Sequence, residues 1–104
     1  MLKHVSEDNF GTEVLRNEKP VLVDFFATWC GPCNIVAPIL EKIAIERDDF
    51  DIAKVDIDQA MSLAGNYSIE VVPTMILINN GHVVGRLEGM MSKSQILDFI
   101  VNNL

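Results

Sequence analysis

The two cysteines of the chain, Cys30 and Cys33, are separated by two residues. That spacing brings both sulfur atoms within reach of one disulfide bond. The pair follows an apolar run, residues 21–27, and begins a stretch with helical periodicity. Such a dithiol could exchange with disulfides in other molecules, and this chemistry requires one sulfur to react as the thiolate.

Three uses of such a pair compete. A structural zinc site needs four ligands, but the chain has no third cysteine, and His4 and His82 fall in different predicted strands. An inert buried pair is the second possibility, since free cysteine is often buried. Gly31 and Pro32 argue against it, because they indicate an exposed loop that enters a helix. Redox chemistry, the third use, is favoured.

The predicted position of Cys30 supports this interpretation. At the first turn of a helix, unpaired N–H groups and the helix dipole favour a negative charge. Pro32 has no N–H, and its backbone angle suits that turn. The N–H of Cys33 remains free to donate to the Cys30 sulfur. We therefore expect a stabilised thiolate at Cys30.

Strand-like and helix-like patterns alternate along the chain and predict an α/β fold with a partly parallel sheet. The predicted order is β-α-β-α-β-α-β-β-α. The predicted strands are residues 3–5, 21–27, 52–57, 74–78 and 82–88, and a turn at residues 79–81 joins the last two.

Capping residues and apolar spacing predict the helices. Ser6 and Asp58 are candidate N-caps for two short helices, and Ser92 with Gln95 forms a capping box for the last one. We expect the long helix after Cys33 to continue through Pro38 with a kink, because its apolar period is unbroken there. The apolar faces predicted for the first, long and last helices are Phe10, Val14 and Leu15; Ile35, Val36, Ile39, Leu40, Ile43 and Ala44; and Ile96, Leu97, Ile100, Val101 and Leu104.

Composition narrows the classes of partner. The 104 residues predict one domain spanning 1–104. The net charge is −7, and the eight Lys and Arg residues are scattered, so we expect neither nucleic acid nor a membrane as a partner. The first residues lack the apolar stretch of a secretory signal. We therefore expect a cytoplasmic protein without a structural disulfide.

The segment 23–33, Val-Asp-Phe-Phe-Ala-Thr-Trp-Cys-Gly-Pro-Cys, resembles the active-site segment of the thioredoxin family. The resemblance extends over essentially the whole chain, and residues at the family's positions include Pro38, Lys54, Val72, Pro73, Thr74, Gly81 and Gly89. It implies the thioredoxin fold, an α/β fold with a central mixed β-sheet flanked by helices.

The resemblance also implies a role for each residue near the cysteines. Cys30 would attack a substrate disulfide, and Cys33 would resolve the mixed disulfide, so that the two form the redox-active disulfide. Asp24 would take the proton from Cys33, since burial raises a carboxylate pKa towards neutrality. The residues implied to tune the redox chemistry are Gly31, Pro32 and Lys54. From the sequence alone, Asp24 could instead reach water, and Lys54 could be a solvated strand lysine.

Substrate binding is implied for four further residues. Trp29 would cover the disulfide and form part of the docking surface, although a tryptophan could also belong to the core. Val72 would offer backbone groups to an extended substrate, beside a cis peptide bond at Pro73. Gly89 would keep the surface flat beside the cysteines.

The implied activity is reduction of disulfide-containing protein substrates by a monomer without a bound cofactor. A thioredoxin reductase would reduce its active-site disulfide again after each reaction. A binding subunit without turnover is a different class of function, and an oxidase or isomerase is the alternative within redox chemistry. Asn34 and Glu88 depart from the commonest family pattern. We expect both to lie beside Cys30 and to make the docking face more acidic.

Overall fold

The computed structural model describes residues 1–104 and contains a five-stranded sheet with strand order β1-β3-β2-β4-β5. β3 pairs in parallel with β1 and β2, whereas β4 is antiparallel to both β2 and β5. The mixed sheet predicted from the sequence is confirmed. The strands are β1 (Leu2–His4), β2 (Val21–Phe26), β3 (Asp51–Asp56), β4 (Thr74–Asn79) and β5 (His82–Glu88).

Helices cover both faces of this sheet. The helices are a π-helix (Gly11–Leu15), α1 (Gly31–Glu46), α2 (Met61–Asn66) and α3 (Lys93–Asn102). One apolar cluster joins the sheet to α1 and α3, and a second joins it to the π-helix and residues of α2. The central strand β2 is therefore buried on both faces, as its continuous apolar run predicts. None of the helices is both long and apolar enough to cross a membrane.

The first helix differs from the prediction. Ser6 is not its N-cap: the Asn9 side chain instead accepts hydrogen bonds from the N–H and hydroxyl of Ser6. This turn delays the helix until Gly11. Phe10 and Val14 are buried as predicted, but Leu15 is exposed.

The long helix α1 continues through Pro38, as predicted. Val36, Leu40 and Ile43 form its buried stripe. Ile35 is exposed, so the predicted apolar face is too wide at that position. The apolar face predicted for the last helix is also too wide. Leu97 is half-buried, but Val101 in α3 and Leu104 after it are exposed. The capping box at the start of α3 is confirmed.

The cap predicted for α2 is wrong. Asp58 does not cap this helix, which begins at Met61 and has no capping side chain of its own. The Glu7 carboxylate, 55 residues away in sequence, accepts the Ser62 N–H at 2.9 Å. A tertiary contact thus satisfies an N–H group that a local cap would otherwise bind.

Candidate active site

Cys30 and Cys33 form a disulfide at the start of α1, directly beyond the end of β2. Cys30 is the N-cap of the helix, and its sulfur accepts the Cys33 N–H at 3.1 Å. Gly31 and Pro32 occupy the exposed first turn. The local geometry predicted for the cysteine pair is therefore present, and a helix N-terminus faces the sulfur of Cys30.

Burial does not distinguish the two cysteines. Each cysteine is only 4% exposed in the disulfide. Both pack with Ala27 in a small apolar cluster that Phe26 and Val72 border. The difference between the two sulfurs lies in their position on the helix.

Asp24 lies in β2, paired in register with Lys54 on β3. The carboxylate is buried, and its Oδ1 atom has no hydrogen-bond partner. Burial raises the pKa of Asp24 to about 6, although the Lys54 charge opposes the shift. Because the side chain is buried in the sheet, the interpretation of Asp24 as a solvent-facing residue is wrong.

Lys54 is also largely buried. Its Nζ atom lies 3.9 Å from Asp24 Oδ2 and 4.6 Å from the centre of the Phe26 ring. The interpretation of Lys54 as a solvated strand lysine is therefore wrong. Beside Lys54 and Phe26 opens a cavity of about 170 Å³, which His4 and Asp56 also line. The sequence did not predict this cavity.

Trp29 is 69% exposed and does not belong to the core. Its indole Nε1 donates a hydrogen bond to Asp58 Oδ2 at 2.9 Å. Asp58 follows β3, and its own N–H donates to the Asp56 carboxylate at 2.9 Å. The residue that the sequence suggested as a helix cap thus orients an exposed aromatic ring next to the disulfide.

The chain enters β4 close to the disulfide. The carbonyl oxygen of Val72 lies 3.6 Å from the sulfur of Cys30. The Val72–Pro73 peptide bond is cis, as the resemblance implies. The N–H of Gly89 donates to the carbonyl oxygen of Pro73 at 2.9 Å. Gly89 has φ +89°, a conformation that residues other than glycine rarely adopt, so glycine is favoured there.

Glu88 adds less negative charge to the docking face than the sequence predicts. Its carboxylate accepts a hydrogen bond from Nε of Arg86 at 2.9 Å, so the negative charge is paired. Asn34 is exposed on the first turns of α1. Sequence reasoning missed Arg86, because two of its three acceptors, the carbonyl oxygens of Tyr67 and Ser68, lie 19 and 18 residues away along the chain.

Comparison with known proteins agrees with this site. The thioredoxin family model matches residues 1–102. A thioredoxin of Mycobacterium bovis is 48% identical over 89% of this chain and 81% of its own length. One from Acidithiobacillus ferridurans is 44% identical over 97% of this chain and 94% of its own.

A third relative, the bifunctional thioredoxin reductase/thioredoxin of Mycobacterium leprae, is 46% identical over 89% of this chain and 20% of its own length. The family match covers nearly every residue, and the paired cysteines stand at the start of a helix in a mixed five-stranded sheet. The chain therefore belongs to the thioredoxin family of thiol–disulfide oxidoreductases.

Proposed function

We propose that this protein reduces disulfide bonds in other proteins, with Cys30 as the nucleophile and Cys33 as the resolving thiol. The Cys30 thiolate attacks one substrate sulfur, which forms a mixed disulfide and releases the other substrate sulfur as a thiolate. Cys33 then attacks the Cys30 sulfur, forms the intramolecular disulfide and releases the second substrate sulfur. Two electrons pass from the dithiol to the substrate.

The observation that carries this assignment is the hydrogen bond from the Cys33 N–H to the Cys30 sulfur at the helix N-terminus. In the dithiol, this N–H and the helix dipole stabilise a thiolate at Cys30. Gly31 and Pro32 contribute by forming the first turn without a side chain that could add charge beside the sulfur. We propose that they tune the redox potential in this way.

We also propose that Asp24 accepts the proton of the Cys33 thiol during resolution. With a pKa of about 6, most of the Asp24 carboxyl is ionised at neutral pH and can accept a proton. This pKa is also close enough to neutral pH for the carboxyl to release the proton again readily. The unpartnered Oδ1 atom supports this role, since no hydrogen bond must break before it accepts a proton. Lys54 tunes the site by favouring the ionised form.

Substrate docking is proposed for the surface formed by Trp29, Val72, Pro73 and Gly89. The exposed indole offers apolar area, and the Val72 carbonyl oxygen next to Cys30 offers a hydrogen-bond acceptor to an extended segment. Gly89 adds no side chain to this surface. An extended peptide could therefore bring a disulfide close to the Cys30 sulfur.

A thioredoxin reductase is the proposed source of electrons. The relative from Mycobacterium leprae, which joins a thioredoxin reductase to a thioredoxin, supports this partnership. We further propose a cytoplasmic monomer with one domain over residues 1–104. Both cysteines lie in the redox pair, so none remains for a structural disulfide, and the charge of −7 disfavours self-association.

The direct test is reduction of insulin with dithiothreitol as the electron source. The wild-type chain should accelerate the reaction, and the double variant Cys30→Ser, Cys33→Ser should not. A binding subunit would show no such difference between the two proteins. The redox potential, measured against glutathione, then separates a reductase from an oxidase or isomerase.

A further inference from the structure

Arg86 on β5 ties the sheet to the segment that leads into the docking surface. Its Nη1 donates to the Tyr67 carbonyl oxygen at 2.6 Å, and its Nη2 donates to that of Ser68 at 2.8 Å. Its Nε donates to Glu88 at 2.9 Å. The planar guanidinium thus serves three acceptors at once, an arrangement that a lysine ammonium cannot reproduce.

The two carbonyl groups belong to the turn that ends α2. Ser68 N–H donates to Gly65 and Ile69 N–H to Ala64, the pair of bonds that closes a Schellman motif. Glycine is usual at the position of Ser68, which has φ +54°. A cation at the carboxyl end of a helix is favourable, so Arg86 stabilises a turn whose backbone is strained.

From this turn the chain reaches Val72 within four residues, and residues 69–73 belong to no helix or strand. The far end of this segment is also fixed, because the Thr74 hydroxyl donates to the Val71 carbonyl oxygen at 2.6 Å. The N–H of Gly89, the residue directly after β5, holds the Pro73 carbonyl oxygen. The short stretch from Arg86 to Gly89 therefore holds both ends of the segment, with Arg86 at its start and Gly89 at its end.

We propose that Arg86, oriented by Glu88, is a positioning residue that places the Val72 backbone where a protein substrate docks beside Cys30. The inference rests on the proposed function. Docking depends on hydrogen bonds with strict distance requirements, so a small shift of Val72 weakens substrate binding without altering the sulfur chemistry. Glu88 acts through Arg86 rather than as a free charge on the docking face.

The test compares a protein substrate with a small disulfide that needs no extended docking. In Arg86→Met, we expect the KM for insulin to rise about three- to tenfold, with kcat changed less than about twofold. The rate constant for reaction of the reduced variant with the small disulfide dithiobis(nitrobenzoate) should differ from the wild-type value by less than about twofold, since this reaction reports the thiolate alone. A general loss of structure would lower both rates.

Matched variants sharpen the result. Arg86→Lys keeps the charge and should give an intermediate KM, which remains informative if Arg86→Met fails to fold. Arg47→Met removes an equivalent exposed charge, paired with Asp49, at the opposite end of α1 from the cysteines, and should leave the KM unchanged. An unchanged insulin KM in Arg86→Met, or equal losses with both substrates, would overturn the inference. If the wild-type protein reduces neither substrate, the proposed function itself fails.

Discussion

The indole N–H of Trp29 donates to the carboxylate of Asp58 at 2.9 Å, which fixes an aromatic ring that is otherwise exposed to solvent. Trp29 is the only tryptophan of the chain, so tryptophan fluorescence reports the surroundings and mobility of this one ring. An ordered ring loses less conformational entropy when a substrate packs against it.

Replacing Asp58 tests this contact. Asp58→Ala should lower the fluorescence anisotropy of Trp29 and raise the KM for insulin about two- to fivefold, because the ring gains freedom that docking must remove. Asp58→Asn retains an acceptor oxygen and should stay close to the wild type. Wild-type anisotropy in Asp58→Ala would show that the hydrogen bond does not hold the ring.

Asp24 should lower the stability of the protein as the pH rises. Its pKa of about 6 exceeds the ordinary value of 3.8, so between these values the folded state binds more protons than the unfolded state. The contribution of Asp24 is then most favourable below about pH 4 and becomes unfavourable as the pH rises through 6. The rise of the pKa from 3.8 to about 6 corresponds to about 3 kcal/mol at neutral pH.

Urea unfolding of Asp24→Asn and the wild type between pH 4 and 8 measures this effect, with the exposed Asp48→Asn as the control. The stability gained by Asp24→Asn should grow by up to about 3 kcal/mol over this range, while that of Asp48→Asn stays flat. A difference between Asp24→Asn and wild type that does not change with pH would contradict the burial effect.

The same substitution should separate the two steps of the reaction. Asp24→Asn should slow release of the mixed disulfide about tenfold or more, with initial attack changed less than about twofold, because the carboxylate serves Cys33. In the wild type, release should accelerate as the pH rises through about 6, where Asp24 ionises. Stopped-flow measurement of both steps checks this, and equal slowing of attack and release would remove Asp24 from its proposed role.

Alkylation of the reduced protein should identify the nucleophile. Iodoacetamide at neutral pH should label Cys30 at least about tenfold faster than Cys33, because only the Cys30 sulfur receives the N–H at the helix N-terminus. Peptide mass spectrometry gives both rates, and Cys33→Ser should retain the fast reaction. Comparable rates at the two cysteines would contradict the assignment.

The sequence predicted the order of elements and the position of the cysteine pair, because these depend on signals within a few residues. The buried run of β2, the Gly31–Pro32 turn and the capping box at Ser92 all belong to this class. The cis bond at Pro73 is predicted only by the family resemblance, since the spacing of residues in the sequence carries no information about it.

Apart from the Ser6–Asn9 contact, which spans only three residues, the missed contacts share a physical cause. The neighbours of Asp58 in sequence predict a helix cap, but Trp29, 29 residues away, binds this carboxylate instead. Glu7 caps α2 from 55 residues away, and Arg86 reaches back 18 residues to Ser68. Such contacts depend on which elements the fold brings together, so no local pattern reveals them.

The reversal of β4 relative to β2 separates the molecule into two ends with different uses. β2 finishes beside the disulfide, and β4 begins there, so the Asn79–His82 turn lies at the opposite end of the sheet. Leu2 aligns with Ile52 near the start of β3, at that same remote end. A domain joined ahead of β1, or a peptide inserted in the turn, would therefore lie at the end of the sheet opposite the cysteines. This arrangement makes the fold suitable as a module within a longer polypeptide.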